Sequence, residues 1–343
     1  MKIVVTGGLG FIGSHTVVEL QQQGYEVIIV DDLSNSSIDV LDGIEGITGK
    51  RPEFVQLDLR DKQLVRTFFE SNPEVIGMIH FAASKAVGES VEKPLLYYEN
   101  NLVPLLNLLN ELEKKEKSYF IFSSSCTVYG QAAVMPITEE APIQAALSPY
   151  GNTKQIGEEI IKDVVKVSSV NAILLRYFNP IGAHESALIG ELPNGVPQNL
   201  IPFITQTAIG VRKELAVFGN DYDTPDGTCV RDYIHVVDLA KAHVAALDRL
   251  IKGKNVEKVE TFNVGTGKGI SVMEIIEAFE KVSQVKLAYK IVERRKGDIT
   301  EAYACTAKAR EVLGWSPTKT LEDMLESAWK WEQKVRQKEK SNE

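Results

Sequence analysis

The chain has 343 residues, 44% of them hydrophobic, and a formal net charge of −9. This length fits about two domains with an ample core, and the negative charge argues against nucleic acid as a partner. No apolar stretch approaches the roughly eighteen residues of a membrane span, and the strand-like opening is not that of a signal peptide, so we expect a cytoplasmic protein without a membrane partner.

The first predicted elements are a strand and a helix joined by glycines. In the sequence GGLGFIG, Gly7, Gly10 and Gly13 have the spacing G-x-x-G-x-x-G, not that of the standard dinucleotide fingerprint. Such glycines let the backbone approach a pyrophosphate at a helix N-terminus, although a glycine cluster can also be only a tight turn. The next strand ends at Asp31 and Asp32, about twenty residues later, where a carboxylate binds the adenosine ribose and repels a 2′-phosphate. These residues predict NAD binding in preference to NADP.

Short apolar runs alternate with helical segments through the first half of the chain. The runs cover residues 27–30, 54–57, 75–81, 119–122 and 172–177. They are typical of strands buried on both faces of a sheet. The alternation predicts an α/β fold: a Rossmann-type doubly wound parallel sheet with a smaller mixed α/β substrate-binding domain.

The character of the sequence changes near residue 180. The segment that follows is rich in proline, glycine and amides, which is typical of a ligand-binding region. We therefore expect an NAD-binding domain at residues 1–180, with a return at about residues 232–265, and a substrate domain at residues 181–343.

One predicted helix has an unusually wide apolar face. The apolar residues from Leu102 to Leu112 cover roughly 220° of a helical wheel, against the stripe of about 100° that packing on one sheet requires. Either the helix is buried deep within one subunit, or a partner subunit covers its second face. We expect the second arrangement, a homodimer.

A hydroxyl-rich strand end and a Tyr–Lys pair carry the chemistry. Ser125 lies in the sequence SSSCTVYG after an apolar run, and Tyr150 and Lys154 lie four residues apart in the next predicted helix. Residues at that spacing share one helix face, and a Lys ammonium beside a phenol stabilises the phenolate as an acid–base group near neutral pH. The pair alone could equally belong to a surface helix. Together with the strand-end hydroxyl and the glycine turn, it predicts a hydride-transfer site.

The three cysteines and five histidines form no metal pattern. Cys126, Cys229 and Cys305 are widely spaced and odd in number, which is typical of free thiols in a reducing compartment. We predict no metal.

Further motifs extend over nearly the whole chain. They are KAVGES from Lys85, LRYFNP from Leu175, VFGNDY from Val217, GTCVRDYIHV from Gly227 and RRKGD from Arg294. With these motifs the chain resembles the extended short-chain dehydrogenase/reductase family, and within it the UDP-glucose (UDP-galactose) 4-epimerases. The resemblance implies a UDP-sugar substrate, bound NAD and a homodimer.

The resemblance also implies a set of residues for each ligand. The implied NAD-binding residues are Gly7, Gly10, Phe11, Ile12, Gly13, Asp31, Asn35, Ser36, Asp58, Leu59, Phe81, Ala82, Lys85, Asn100, Tyr150, Lys154 and Tyr177. The implied UDP-sugar residues are Ser125, Tyr150, Phe178, Asn179, Asn199, Leu200, Phe218, Arg231, Arg295, Asp298 and Ala302. A diphosphate suits arginines and a uracil suits an aromatic face with amides, although the two arginines could also form ordinary surface ion pairs.

The implied reaction is epimerisation at C4 of a UDP-hexose through a transient 4-keto sugar. Tyr150 is the implied base, Lys154 is expected to lower its pKa, and Ser125 shares the hydrogen bond to the reacting oxygen. A 4,6-dehydratase would need an acid–base pair beside the strand-end hydroxyl, where this chain has Cys126 and Thr127. A UDP-glucuronate epimerase or decarboxylase would need groups for the C6 carboxylate, and an NAD sensor without catalysis would lack one of the three catalytic residues.

A residue shortly after the RRKGD motif acts as a gate of the sugar pocket in this family. A Tyr at the gate restricts the enzyme to plain hexoses, and a small residue admits N-acetyl sugars. Alignment of the motif places Ala302 at the gate, which implies activity on UDP-GlcNAc and UDP-GalNAc as well. Alternatively, Tyr303 closes the same space.

Overall fold

A parallel sheet of seven strands forms the centre of the protein in the computed structural model, which describes residues 1–295 and 298–342. The described strands are β1 (Lys2–Thr6), β2 (Glu26–Asp31), β3 (Glu53–Gln56), β4 (Val75–His80), β5 (Ser118–Ser125), β6 (Val170–Tyr177), β7 (Asn179–Ile181), β8 (Leu215–Phe218), β9 (Val230–Arg231), β10 (Tyr233–His235), β11 (Val259–Val264), β12 (Ile270–Ser271), β13 (Tyr289–Val292) and β14 (Glu301–Ala302). The order in the large sheet is β11-β6-β5-β4-β1-β2-β3, and every neighbouring pair is parallel. The predicted Rossmann-type sheet is confirmed, and the five predicted runs are β2 to β6.

Helices cover both faces of this sheet. The described helices are α1 (Phe11–Gln22), α2 (Val40–Thr48), α3 (Lys62–Ser71), α4 (Val87–Glu92), α5 (Pro94–Leu112), α6 (Pro149–Val167), α7 (Leu200–Ala208), α8 (Val236–Ile251), α9 (Val272–Ser283) and α10 (Leu321–Asn342). One core cluster joins the sheet to α1, α2 and α8, and a second joins its other face to α3, α5 and α6. The sheet is doubly wound because its central strands, such as β1, are apolar on both faces.

The edge strand β3 departs from the expected pattern. Its residues are partly or fully exposed, whereas we expected burial on both faces. The strand pairs with β2 alone, and an edge strand of this kind needs no second apolar face.

Residues after 232 return to the large sheet. Helix α8 packs on α1, and β11 adds to the sheet beside β6. The remaining strands form small sheets, β10 with β7, β13 with β8, and β12-β9-β14. A third core cluster there takes residues from α7, α9 and α10. The small sheets and these helices therefore form a second, smaller part of the protein, which begins directly after β6.

Helix α5 is buried on one side only. Leu105, Leu108, Leu109 and Leu112 are buried in the core, whereas Leu106 is 44% exposed and Leu95 is 80% exposed. The helix therefore does not lie deep within the subunit, and its apolar outer side faces solvent in the single chain. None of the helices in residues 1–295 and 298–342 combines the length and the apolar character needed to cross a bilayer.

Candidate active site

The glycine turn forms a tight link between β1 and α1. Gly7 has a φ of +66°, and a Cβ there would lie 2.8 Å from the backbone nitrogen of Ala82. A Cβ on Gly13 would lie 2.2 Å from the carbonyl oxygen of Gly7, so both positions require glycine. Gly10 is different, because an added Cβ would meet only the Gly7 oxygen, at 3.2 Å. Its remaining side is open to the close approach of a ligand.

The start of α1 can receive an anion. Gly10 is the N-cap, and no side chain of the described residues caps the helix there. Phe11, Ile12 and Gly13 follow as its first turn, where backbone N–H groups have no partner within the helix. The open turn and the positive end of the helix fit a dinucleotide pyrophosphate.

Asp31 organises the loop after β2. Its buried carboxylate accepts hydrogen bonds from the backbone of Leu9 at 3.1 Å and of Leu33 at 3.0 Å, and from Ser36 Oγ at 2.7 Å. Asn35, in the same loop, accepts a hydrogen bond from Asn194 Nδ2 at 3.4 Å. Asn35 and Ser36, two of the predicted NAD-binding residues, therefore lie in one loop, which Asp31 at the end of β2 ties to the glycine turn.

Further predicted cofactor residues lie after β3 and β4 and in α5. Arg60 pairs with Asp58 at 2.7 Å and donates to Asn100 Oδ1 at 2.9 Å, while Leu59 is buried. Phe81 and Ala82 follow β4 directly, and the Phe81 ring packs on His243 with 4.6 Å between ring centroids.

The predicted catalytic side chains meet where β5 ends and α6 begins. Lys154 Nζ donates to the carbonyl oxygen of Ser123 at 2.8 Å and lies 5.9 Å from the centre of the Tyr150 ring. Ser123 Oγ donates to the Tyr177 hydroxyl at 3.1 Å. Ser125 and Tyr177 are register partners on β5 and β6. The pairing of β5 with β6 and the packing of α6 on them therefore bring the hydroxyl, the phenols and the ammonium into one group, of which Tyr177 is partly buried and the other members are buried.

Burial dominates the proton affinities of this group. It raises the pKa of Tyr150 well above 10, the nearby Tyr177 phenol adds to the rise, and a hydrogen bond with Ser125 opposes it. Burial also lowers the pKa of Lys154 to about 8, against an opposing effect of Glu158. We expected Lys154 to lower the Tyr150 pKa. That effect of Lys154 stays a prediction, because the raised pKa is a net result in which the loss of hydration on burial is the largest cause.

The predicted UDP-sugar residues form small groups on separate segments. Asn179 begins β7, which pairs with β10, and its backbone N–H donates to the carbonyl oxygen of Asp232. Arg231 is the β9 partner of Ala302 in β14 and donates to the carbonyl of Val230 at 2.9 Å. In the part of the chain that the structure describes, no carboxylate pairs with Arg231.

A second group joins Phe218, Arg295 and Asp298. The Arg295 guanidinium lies 4.8 Å from the Phe218 ring centre and pairs with Asp298 at 3.0 Å. Phe218 is 38% exposed, so its aromatic face and the guanidinium are both near solvent. Positions 296 and 297 of the same motif lie outside the described residues.

The register of β14 separates Ala302 from its neighbour. Ala302 is buried in an apolar cluster with Val128 and Phe178, against which Cys126 packs. The Tyr303 ring lies against Gly269, 3.0 Å from where a Cβ would be. Ala302, the last residue of β14, therefore packs with the residues after Ser125, whereas Tyr303, the residue after the strand, packs on Gly269.

Glu191 contacts one residue of the predicted NAD-binding set and one of the predicted UDP-sugar set, and the sequence patterns did not single it out. Its Oε1 accepts from Lys85 Nζ at 3.1 Å and from Asn199 Nδ2 at 2.6 Å. Trp331 Nε1 donates a hydrogen bond to the backbone oxygen of Glu191 at 2.8 Å. Leu200, which follows Asn199, is the first residue of α7. The only signal in the sequence was the amide-rich character of this segment, which does not select one carboxylate.

The comparisons with known proteins match nearly the whole chain. A family model described as GDP-mannose 4,6 dehydratase matches residues 4–328. The curated UDP-glucose 4-epimerase of Haemophilus influenzae is 49% identical over 97% of this chain and 97% of its own. That of Dictyostelium discoideum is 49% identical over 96% of this chain and 95% of its own.

Solved structures match as closely. A UDP-glucose 4-epimerase from Stenotrophomonas maltophila, with bound NAD and formylated UDP-arabinopyranose, has a TM-score of 0.94 and 45% identity and covers 98% of this chain and 99% of its own. One from Bifidobacterium longum in complex with NAD+ and UDP has a TM-score of 0.92 and 48% identity with the same coverage. A UDP-Glc/GlcNAc 4-epimerase from Campylobacter jejuni has a TM-score of 0.83 and 37% identity and covers 97% of this chain and 99% of its own.

Proposed function

The chain belongs to the UDP-glucose 4-epimerase family of extended short-chain dehydrogenases/reductases, and from this premise we propose that it interconverts UDP-glucose and UDP-galactose through a 4-keto sugar. It is an NAD-dependent enzyme. The observation that carries the mechanism is the group formed by Ser125 and Tyr177 at the ends of β5 and β6 with the buried Tyr150 and Lys154 of α6.

The NAD site that we propose runs along the ends of β1 to β6. The open turn at Gly10 and the uncapped start of α1 support a pyrophosphate, and the loop that Asp31 organises supports the adenosine. Bound NAD supplies a hydride acceptor for C4 of the sugar, and its positively charged nicotinamide ring favours a nearby phenolate.

In the proposed reaction, Tyr150 Oη takes the proton of the C4 hydroxyl while the C4 hydrogen leaves as hydride. Ser125 Oγ hydrogen-bonds the same oxygen, and the Lys154 ammonium stabilises the phenolate. After the 4-keto sugar turns over, Tyr150 returns its proton to the oxygen and the hydride returns to the other face of C4. The cofactor ends each turnover in its starting state.

UDP must stay bound while the hexose turns. We propose that Arg231 and Arg295 hold the diphosphate, that Phe218 contacts the uracil and that Asp298 accepts from the uridine ribose. Among the described residues Arg231 donates to the backbone carbonyls of Val230 and Thr300 and forms no ion pair, so its charge is available for the diphosphate. The hexose would lie towards the apolar cluster of Phe178 and Ala302, which offers few polar contacts and suits a sugar that must rotate.

A 4,6-dehydratase, the activity in the description of the matching family model, is the second candidate. It shares the first half-reaction but must then remove a proton and expel water, which requires an acid–base pair at the sugar. The positions after Ser125 are Cys126 and Thr127, and burial raises the pKa of the Cys126 thiol to about 11. Neither side chain serves that step, so we favour epimerisation.

The direct experiment incubates the purified protein with UDP-galactose, without added NAD, and resolves the sugar nucleotides. We expect UDP-glucose to accumulate to equilibrium with no net absorbance of free NADH. Steady NADH production would indicate a dehydrogenase, and a 4-keto-6-deoxy product would indicate a dehydratase.

We propose further that the enzyme accepts N-acetylated UDP-sugars. The support is the packing at the end of β14, where Ala302 lies in the apolar cluster beside Cys126 and the following Tyr303 packs on Gly269. A Tyr at position 302 would fill the space that an acetamido group needs. We expect wild type to interconvert UDP-GlcNAc and UDP-GalNAc, and Ala302→Tyr to lose that activity and keep the hexose activity. Tyr303→Phe is the matched control, and a wild type inert towards UDP-GalNAc contradicts the proposal.

We also propose a cytoplasmic homodimer built on the outer side of α5. The exposed apolar side chains Leu95 and Leu106 support the interface, and the free thiols of Cys126, Cys229 and Cys305 suit a reducing compartment. Within each subunit, residues 1–180 with the return at 232–265 would carry NAD and residues 181–343 the UDP-sugar. Light scattering that gives the mass of one chain would exclude the dimer.

A further inference from the structure

A buried ion pair lies directly behind the catalytic group. Arg176 Nη2 lies 2.6 Å from Glu158 Oε2, and Arg176 Nε donates to Glu158 Oε1 at 2.9 Å. Their side chains are only 4% and 3% exposed. Two hydrogen bonds join the pair, but the burial of both charges carries a large desolvation penalty. Stability alone therefore does not account for the pair.

The pair touches the elements that carry the catalytic residues. Ser124 Oγ donates to Glu158 Oε1 at 2.7 Å, and Ser124 and Arg176 are register partners on β5 and β6. Their neighbours Ser125 and Tyr177 are the next register partners. Because side chains alternate along a strand, the ion pair occupies the opposite face of the same two positions.

Glu158 also follows Lys154 by one turn of α6. Residues four apart lie on the same helix face, so the carboxylate connects the catalytic helix to both strands. Arg176 Nη1 further donates to the Tyr129 hydroxyl at 3.0 Å, and Tyr129 donates to Asn263 Oδ1 at 2.7 Å. The network thereby extends to the turn after Ser125 and to β11.

We propose that Glu158 and Arg176 are a positioning pair, which fixes α6 against β5 and β6 and keeps Lys154 charged in its buried site. The proposal deepens the proposed function, on which it rests for the role of Lys154. Neither residue contacts the reacting atoms in this account, and both act through Lys154 and the strand ends.

The surroundings of Lys154 show why a buried charge nearby matters. On its own helix Lys154 faces Tyr150 and Glu158, from β5 it meets the Ser123 carbonyl, and from β4 it faces His80. The phenols of Tyr177 on β6 and Tyr97 on α5 lie near Tyr150. Burial lowers the pKa of His80 to about 3, so this histidine is neutral at working pH. Glu158 is thus the anion that opposes the effect of burial on Lys154.

The test measures the pKa of Lys154 by NMR titration of the holoenzyme with ¹³C-labelled lysines, the Lys154 signal being assigned by its loss in Lys154→Arg. Glu158→Gln removes the anion and leaves Arg176 charged, so we expect the pKa of Lys154 to fall by about one unit. Arg176→Gln leaves the anion unpaired and should raise it. The double variant removes both charges, so its Lys154 pKa should lie between those of the two single variants.

Opposite shifts of the Lys154 pKa in the two single variants indicate an effect of charge. A general disturbance of the structure would shift that pKa in the same direction in both. Glu159→Gln, an exposed neighbour on α6, is the matched control and should leave the pKa unchanged. If the single variants do not fold, Lys162→Gln replaces them. Its ammonium lies 3.6 Å from Glu158 Oε2 near the surface, and its removal should raise the Lys154 pKa by some tenths of a unit.

An unchanged titration of Lys154 in folded Glu158→Gln, or in Lys162→Gln, overturns the proposal. The readout needs no turnover, so it is independent of the proposed function. Should wild type fail to convert UDP-galactose while the Lys154 pKa still shifts, the proposed function fails and the positioning pair stands.

Discussion

The cofactor side and the substrate side of this protein are built differently. On the cofactor side, Asp31, Ser125, Tyr150 and Lys154 are all buried. The first two end strands of one sheet, and the other two lie on α6, which packs on that sheet. On the substrate side, Phe218 and Arg295 lie near the surface on segments far apart in the sequence. The first region is fixed by one sheet and the helices packed on it, and the second is assembled from short strands and loops.

This difference matches the tasks that we propose for the two regions. Hydride and proton transfer require fixed distances, which packed secondary structure provides. A sugar that must turn over between two poses requires a firm hold on the nucleotide and a loose one on the hexose. Side chains that pair with one another when alone, as Arg295 and Asp298 do, can exchange those contacts for a diphosphate and a ribose.

The largest expected effect is on the cofactor side, in Tyr150→Phe. The change keeps the ring but removes the only proposed proton acceptor, so kcat should fall by roughly 10²–10⁴-fold. Bound NAD should remain, because Lys154 and the glycine turn are unchanged. Tyr98→Phe, a phenol that accepts from Asn152, serves as the control. Near wild-type turnover in Tyr150→Phe would assign the base to another residue.

Gly13→Ala should break the fixed cofactor turn. The new Cβ would lie 2.2 Å from the Gly7 oxygen and 2.8 Å from Gly8 Cα, so the turn must shift, at a cost of about 1–3 kcal/mol in unfolding free energy. We expect the purified variant to lose most of its bound NAD, measured by absorbance after acid release. Gly88→Ala, where nothing lies within 4 Å of the added Cβ, should retain it. Full NAD occupancy in Gly13→Ala contradicts a rigid cofactor turn.

Acid should destabilise the cofactor side. Burial lowers the pKa of His15 and His80 to about 3 and of His243 to about 4. Below pH 6.5 these histidines are protonated in the unfolded chain but stay neutral in the folded one. The free energy of unfolding therefore falls from pH 6.5 towards pH 4, and these histidines do not change it above pH 6.5. Each histidine contributes a slope of about 1.4 kcal/mol per pH unit in that window. Urea unfolding at pH 7 and pH 5 measures the loss, which His243→Gln should reduce, and equal stabilities would contradict it.

The smallest expected effect is on the substrate side, in Arg295→Gln. The guanidinium is one of several proposed contacts to the diphosphate, so KM for UDP-galactose should rise roughly tenfold with kcat little changed. Arg294→Gln, which removes a neighbour paired with Asp221, should leave KM near that of wild type. A fall in kcat at constant KM would place Arg295 in the chemistry instead.

The same contrast explains what the sequence could predict. The turn at Gly7 and the pair of Tyr150 and Lys154 are local patterns, and their spacing suffices to predict a strand, a helix and a shared face. Arg176 of β6 and Glu158 of α6 meet only because that helix packs on the sheet, and no periodicity reports that packing. Glu191 contacts Lys85 from a loop far away in the sequence. Local sequence patterns do not predict that contact either, because it depends on the folding of the whole chain. The raised pKa of Tyr150 depends on burial depth, which the three-dimensional packing decides.

The central claim is that the hydride leaves and returns to the same carbon within one closed site. The most direct test uses UDP-galactose carrying deuterium at C4, with the enzyme and no added NAD. We predict UDP-glucose that retains the deuterium at C4, with a slowed rate wherever hydride transfer limits turnover. Loss of the label to water, or its appearance in free NADH, would contradict the account.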